Sequence, residues 1–183
     1  MAQDADMTHN WLNGWRIAGW GALLALLALP AIAMQFTPEV EWTALDFVFA
    51  AVLLTALGMG VEIAIRVGRG APQTLALIVA TVAGFMTLWA NAAVGFIGDE
   101  GSPVNPAFSA MAILAALATL ALRFDARRLR WVYALLAAGQ FLPGFAALKM
   151  MPGHAVEWGV LALFAALWSA AALLCHRAAM RRA

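Results

Sequence analysis

Six stretches of this chain are apolar for about 20 residues each, the length that carries a helix across a lipid bilayer, and the basic residues between them fall on alternate loops. The stretches cover residues 15–36, 44–65, 73–98, 106–122, 131–150 and 155–175, the fourth near the short limit. Arg16 precedes the first. Arg66 and Arg69 separate the second from the third. Arg123, Arg127, Arg128 and Arg130 separate the fourth from the fifth, and Arg177, Arg181 and Arg182 follow the sixth. All of these arginines fall on one side of an alternating thread; Lys149 alone lies on the other. Short loops rich in Lys and Arg are retained in the cytoplasm. The expected fold is therefore all-α: a polytopic transmembrane helical bundle of six spanning helices, with both termini cytoplasmic and residues 1–183 forming one transmembrane domain.

Composition points the same way. Hydrophobic residues make up 64% of the chain and charged residues 11%, with a mean hydropathy of +0.84. A soluble domain carries about 25% charged residues, so lipid is the expected solvent and the bilayer the first partner. A net charge of +1 gives no basis for binding nucleic acid. The single Cys175 cannot form a disulfide within the chain.

The first stretch has a rival reading. "ALPAIA", ending at Ala33, has the small residues of a signal-peptidase site. The region before it holds Asp4 and Asp6 and one arginine, and the apolar run is long, so an uncleaved helix is the stronger expectation. Among the 8 tryptophans, Trp11, Trp15, Trp42, Trp131 and Trp158 stand at span ends, where an amphipathic ring prefers the headgroup level. Trp20, Trp89 and Trp168 lie inside spans and are expected to pack. Asn105 before Pro106 reads as the N-cap of the fourth helix. Pro152-Gly153 reads as a tight turn. Pro30 is expected to kink the first helix, and Pro143 with Gly144 the fifth.

Polar groups in hydrocarbon are costly and each needs a reason. Glu62 precedes Arg66 by one helical turn, the favourable order for an ion pair; the alternative is a proton or cation role. Thr55, Gly58, Met59 and Glu62 share that face. Asn91 shares a face of the third helix with Gly84, Thr87, Gly95 and Gly98. This reads as a close helix contact locked by an amide hydrogen bond, or as a ligand group within reach of an outer vestibule. Gln140 stands one turn before Pro143, on the side of Tyr133 and Gly144. It is expected to satisfy a freed backbone group or a neighbouring helix. Thr43 and Asp46 read as a cap at the start of the second helix.

The motif "EVEWTALDF", the span carrying Glu62, and "LWANAAVGFIGDEGSPVNP" together resemble a widespread group of small bacterial multi-pass membrane proteins. The resemblance is best over residues 38–125. Members usually show Trp-Asn-x-Ala-Val-Gly-x-Ile-Gly, then an acid, Pro and Asn. Here Ala90 separates Trp89 from Asn91, the acid falls at Glu100, and Asn105 matches the closing Asn. The resemblance implies a bacterial inner membrane; it implies no chemistry, since no biochemical activity is assigned to the group.

Asp99, Glu100 and Asn105 gather at the outer end of the third helix, with Glu39, Glu41 and Asp46 on the same side. Such oxygen ligands suit a hard cation, but the spacing matches no calcium loop, and a solvated acidic rim is the stronger reading. His9, His154 and His176 are scattered, and none pairs with Cys175 at metal-site spacing. Met150 and Met151 beside His154 read as a hydrophobic loop end before a soft-metal contact. "GRGAPQ" lacks the lysine of a phosphate loop. No lysine lies inside a span to hold a Schiff base. No cofactor is expected. The candidate ligand or ion-pathway residues are Asn91, Asp99, Glu100, Asn105, Glu62 and Gln140. Three functions stay open: a non-catalytic membrane component that oligomerises or joins another membrane protein, a small-solute or cation transporter, and a membrane enzyme using Asp99 or Glu100. Convergence of Asn91, Gln140 and Glu62 on one cavity would favour transport; separate helix contacts would favour the first reading.

Overall fold

A computed structural model describes residues 14–99 and 101–181. Glu100, His9, Trp11 and Arg182 therefore lie outside the described residues. Among those described, every regular element is a helix: α1 (Gly14–Ala33), α2 (Ala44–Val67), α3 (Ala71–Ala93), α4 (Asn105–Ala121), α5 (Ala126–Gly139), α6 (Leu142–Met150) and α7 (Trp158–Met180). Five helical stretches are long and apolar enough to cross a membrane: α1, α2, α3, α5 with α6 taken together, and α7. The apolar α4 is shorter, at 17 residues.

The chain forms two compact units, Met1–Gly58 and Met59–Ala183, divided within α2. In the first, α1 continues past Pro30 to Ala33 and has no buried residue. It is apolar all round, as a helix is when lipid or another helix covers it. At the start of α2 the expected cap is present. Thr43 N–H donates to Asp46 Oδ2 at 2.7 Å, and Asp46 N–H donates to Thr43 Oγ1 at 3.4 Å, a reciprocal pairing of first-turn donors. Trp20 packs on Gly58: a β-carbon there would stand 2.8 Å from the indole ring.

The second unit is built around α7, which packs against α5 and α3, while α3 also packs on α4. The α7 face is lined by Ala171, Ala172, Cys175 and Ala178, and it shares one buried core with Ala76 and Ala83 of α3 and Ala126 and Ala137 of α5. Small side chains let helix backbones approach closely, which is how helices gain packing energy where lipid removes the hydrophobic drive. Trp168 and Tyr133 fill the space between, their ring centroids 5.7 Å apart. The end of α2 and the start of α3 form an antiparallel hairpin. A β-carbon on Gly60 would stand 2.5 Å from Thr81, and one on Gly68 would collide with Thr74.

Several helix boundaries differ from the sequence expectation, and α7 runs on to Met180, past residue 175. The third helix stops at Ala93, not near residue 98, because Gly95 and Gly98 take φ of +73° and +71°, a conformation that ends a helix. The fifth starts at Ala126, where Asp125 caps it by accepting from Arg127 N–H at 2.8 Å and Arg128 N–H at 3.3 Å. Its kink is a full interruption at Gln140 and Phe141, with Pro143 in the first turn of α6. Proline brings no N–H for the Gly139 carbonyl, and its ring crowds that oxygen. Pro152-Gly153 forms the expected turn, closed by His154 N–H on Met151 O at 3.1 Å with Gly153 at φ +93°. Glycine at that position admits the left-handed residue such a turn requires.

Candidate functional site

The "WANAAVGFIGDEGSPVNP" stretch folds into a corner between α3 and α4, and Asn105 organises it. Its side chain is 1% exposed. Asn105 Oδ1 accepts from Phe96 N–H at 3.2 Å and Ile97 N–H at 3.1 Å. Its Nδ2 donates to the Asp99 carbonyl at 2.6 Å. The expectation that Asn105 caps α4 is corrected: the N-cap position is Val104, without a side-chain bond, and Asn105 is the first helical residue. Its amide reaches back across the corner because the left-handed turns at Gly95 and Gly98 bring those backbone groups to it. A β-carbon at Gly95 would stand 2.6 Å from both Asn105 Nδ2 and the Asp99 oxygen.

Asn91 joins the same corner from α3. Its Nδ2 donates to the Asn105 carbonyl at 3.0 Å and to Ser109 Oγ at 2.8 Å. Both partners belong to α4, so this amide ties two helices together. With α3 ending at Ala93, Asn91 lies about 3 Å below the helix end at 1.5 Å per residue. The corner folds over it, leaving it 9% exposed. The proposed stripe on its face shrinks: Gly95 and Gly98 are not helical, and a β-carbon on Gly84 would meet nothing within 4 Å. Thr87 remains, bonded to the Ala83 carbonyl of its own helix.

Beneath the corner lies an aromatic cluster. Phe96 packs on Phe108 at 4.6 Å and edge-on to Phe164 at 4.8 Å, with Ile97, Leu161 and Ala147 buried around them. On its other side the corner meets the α6–α7 loop. Ser102 Oγ donates to Met151 Sδ at 3.1 Å, and Gly98 faces Met151 and His154. Met151 thus packs as a loop-end hydrophobe that also accepts a hydrogen bond. The Asp99 residue is exposed, and it is its backbone oxygen that the corner uses.

The other candidates stand apart. Arg66 Nη2 lies 3.1 Å from Glu62 Oε2, as the spacing predicts. The Gly60–Thr81 and Gly68–Thr74 contacts set Glu62 level with the middle of α3, and Asn91 is about 18 Å further along that axis. The two do not share a cavity. Gln140 lies at the α5–α6 break and is fully buried. The expectation that it satisfies a backbone group or a neighbouring helix is corrected: neither Nε2 nor Oε1 has a hydrogen-bond partner. Trp168 Nε1 and Asn91 Oδ1 are likewise buried and unpaired. A buried polar group left without a partner costs about 1–3 kcal/mol.

Some contacts lie outside the sequence expectations. Gln73 Nε2 donates to the Phe124 carbonyl at 2.7 Å, steadying an α4–α5 turn in which Arg123 and Phe124 hold φ of 50° and 62°. Tyr133 hydroxyl and Thr119 Oγ1 lie 2.8 Å apart. Asp125 ahead of "ARR" was a legible cap. Ser109, one turn into an otherwise apolar helix, was a legible partner for Asn91. Among the described residues, no three His, Cys, Asp or Glu side chains stand close enough to hold a metal ion. Comparison of the chain with models of known protein families, with curated proteins and with solved structures finds no match.

Proposed function

We propose that the chain is a non-catalytic, multi-pass component of a bacterial inner membrane that works by holding a rigid helical surface for association, with a second copy or with another membrane protein. In this reading it crosses the bilayer six times, α4 included, and both termini are cytoplasmic. The observation that carries it is how the polar groups are spent. Asn91 and Asn105 fasten α3 to α4 and close the corner between them, and Glu62 lies in an ion pair with Arg66 far from both. Such groups specify a helix arrangement; they do not line a common path. The all-round apolar α1, with no residue buried, supplies a surface for association. The arginine asymmetry supports the six-span thread, and the resemblance over residues 38–125 supports the bacterial inner membrane.

Two measurements test this. Tags fused at Met1 and Ala183 should be protected from protease added outside intact cells and cut after lysis; cleavage of either outside overturns the thread. Native mass spectrometry of the protein released from lipid should show a defined oligomer or a stoichiometric protein partner. A strictly monomeric, partner-free chain that moves a solute into proteoliposomes would refute the association reading and favour transport.

A further inference from the structure

At the interruption between α5 and α6, a fully buried side chain has both of its polar atoms unpaired. Tyr133, Ala137, Gln140 and Gly144 recur at helical spacing, and all but the interrupted Gln140 lie in α5 or α6. Both flanks of this row face α7: the Tyr133 ring packs on Trp168 at 5.7 Å, and a β-carbon on Gly144 would stand 2.9 Å from Leu161. Gln140 lies between them, closer to Gly144 than to Tyr133, and is therefore set opposite the α7 stretch that runs from Leu161 to Trp168. It is fully buried, with both amide atoms unpaired, and Trp168 Nε1 on the facing helix is buried and unpaired too. Pro143 withholds the N–H that the Gly139 carbonyl would otherwise receive. The unpaired donor and acceptor of Gln140, near the middle of the 25-residue Ala126–Met150 stretch, and the unpaired donor of Trp168 thus lie on helices that pack on each other. In hydrocarbon no lipid atom can satisfy them.

We propose that this break is a binding site for a small uncharged hydrogen-bonding molecule, either water itself or a neutral solute of similar size, held between Gln140 and Trp168. The charge of the ligand follows from the surroundings. No charged side chain occurs in residues 131–148, in residues 158–174, or anywhere in α3 or α4, so an ion would enter without a counter-charge, which is far costlier than an unpaired dipole. Size follows from burial: Gln140 is 0% and Trp168 1% exposed, so the site is internal. A buried water makes about three hydrogen bonds to groups that otherwise lack partners, and the groups here number enough to hold one. The site uses the membrane depth of the proposed function but not its association role.

Hydroxyl-radical footprinting of the full chain in lipid nanodiscs tests this, with Trp168 as reporter and the dry Phe108 as background. Native mass spectrometry of the same sample, with and without Gln140→Leu, separates the two ligand sources. Oxidation of Trp168 above background, lost in Gln140→Leu and without a bound mass, identifies water. A small bound mass present in the native chain and lost in Gln140→Leu identifies a neutral solute. Trp168 at background together with no such mass overturns the proposal on the native protein alone, whether or not the variant folds. Trp168 oxidation that persists unchanged in a folded Gln140→Leu overturns it as well. Failure of the membrane reading would show differently, as recovery of the chain in the aqueous fraction without detergent.

Discussion

Replacing Asn105 with Ala should unfold the α3–α4 corner at a cost the structure lets us work out. The change deletes three hydrogen bonds, at 3.2, 3.1 and 2.6 Å. Each contributes about 0.5–1.5 kcal/mol net. It also leaves the Phe96 and Ile97 N–H groups without their acceptor, on residues only 4% and 0% exposed, so water cannot take its place. The total comes to about 3–5 kcal/mol. At about 2–4 °C per kcal/mol for a chain of this size, the midpoint should fall by about 6–20 °C. The protein carries its own reporter: Cys175 is its single cysteine and is fully buried. A thiol-reactive fluorogenic dye in detergent therefore reads global unfolding directly. Ser109→Ala is the control, since it removes one bond to Asn91 and should cost about 1 kcal/mol. If Asn105→Ala melts no lower than Ser109→Ala, the corner is not held by this amide and the reasoning fails.

The same assay checks three further changes. Asn91→Leu removes two bonds to α4 and should destabilise by about 1–4 kcal/mol, at about 0.6–2 kcal/mol for each interhelical hydrogen bond in a membrane; unchanged stability with lost solute uptake would reverse the ranking of scaffold over transport. Gly95→Ala forces a β-carbon into a left-handed residue and onto Asn105, and should lower stability by about 1–3 kcal/mol; combined with Asn105→Ala the losses should be less than additive, since both act on one corner. Arg123→Gly removes a side chain from an exposed residue at φ 50° and should raise stability by about 0.5–1 kcal/mol; a fall in the midpoint would mean that the arginine makes a contact worth more than the strain.

Periodicity and charge were enough to read the all-helical class and the approximate place of every helix, because those follow from local rules. An apolar run of some 20 residues has only one way to satisfy its backbone in lipid, so α1, α2, α3 and α7 fall close to where hydropathy puts them. The Thr43–Asp46 cap, the Glu62–Arg66 pair and the turn at Pro152-Gly153 were legible for the same reason: each joins residues within four positions. What a neighbouring helix decides was not legible. Nothing in "GFIGDEGSPVN" says that Asn105 turns back to residues 96, 97 and 99 when a cap would point it forward; that depends on two glycines adopting positive φ at once. Nor does the string around Pro143 reveal that Gln140 is fully buried with neither amide atom paired. Local sequence sets which segments become helices, through the backbone's need for internal hydrogen bonds. Only the packing of those helices sets which polar side chains find partners, since the partners lie many residues away and are brought close by the fold alone.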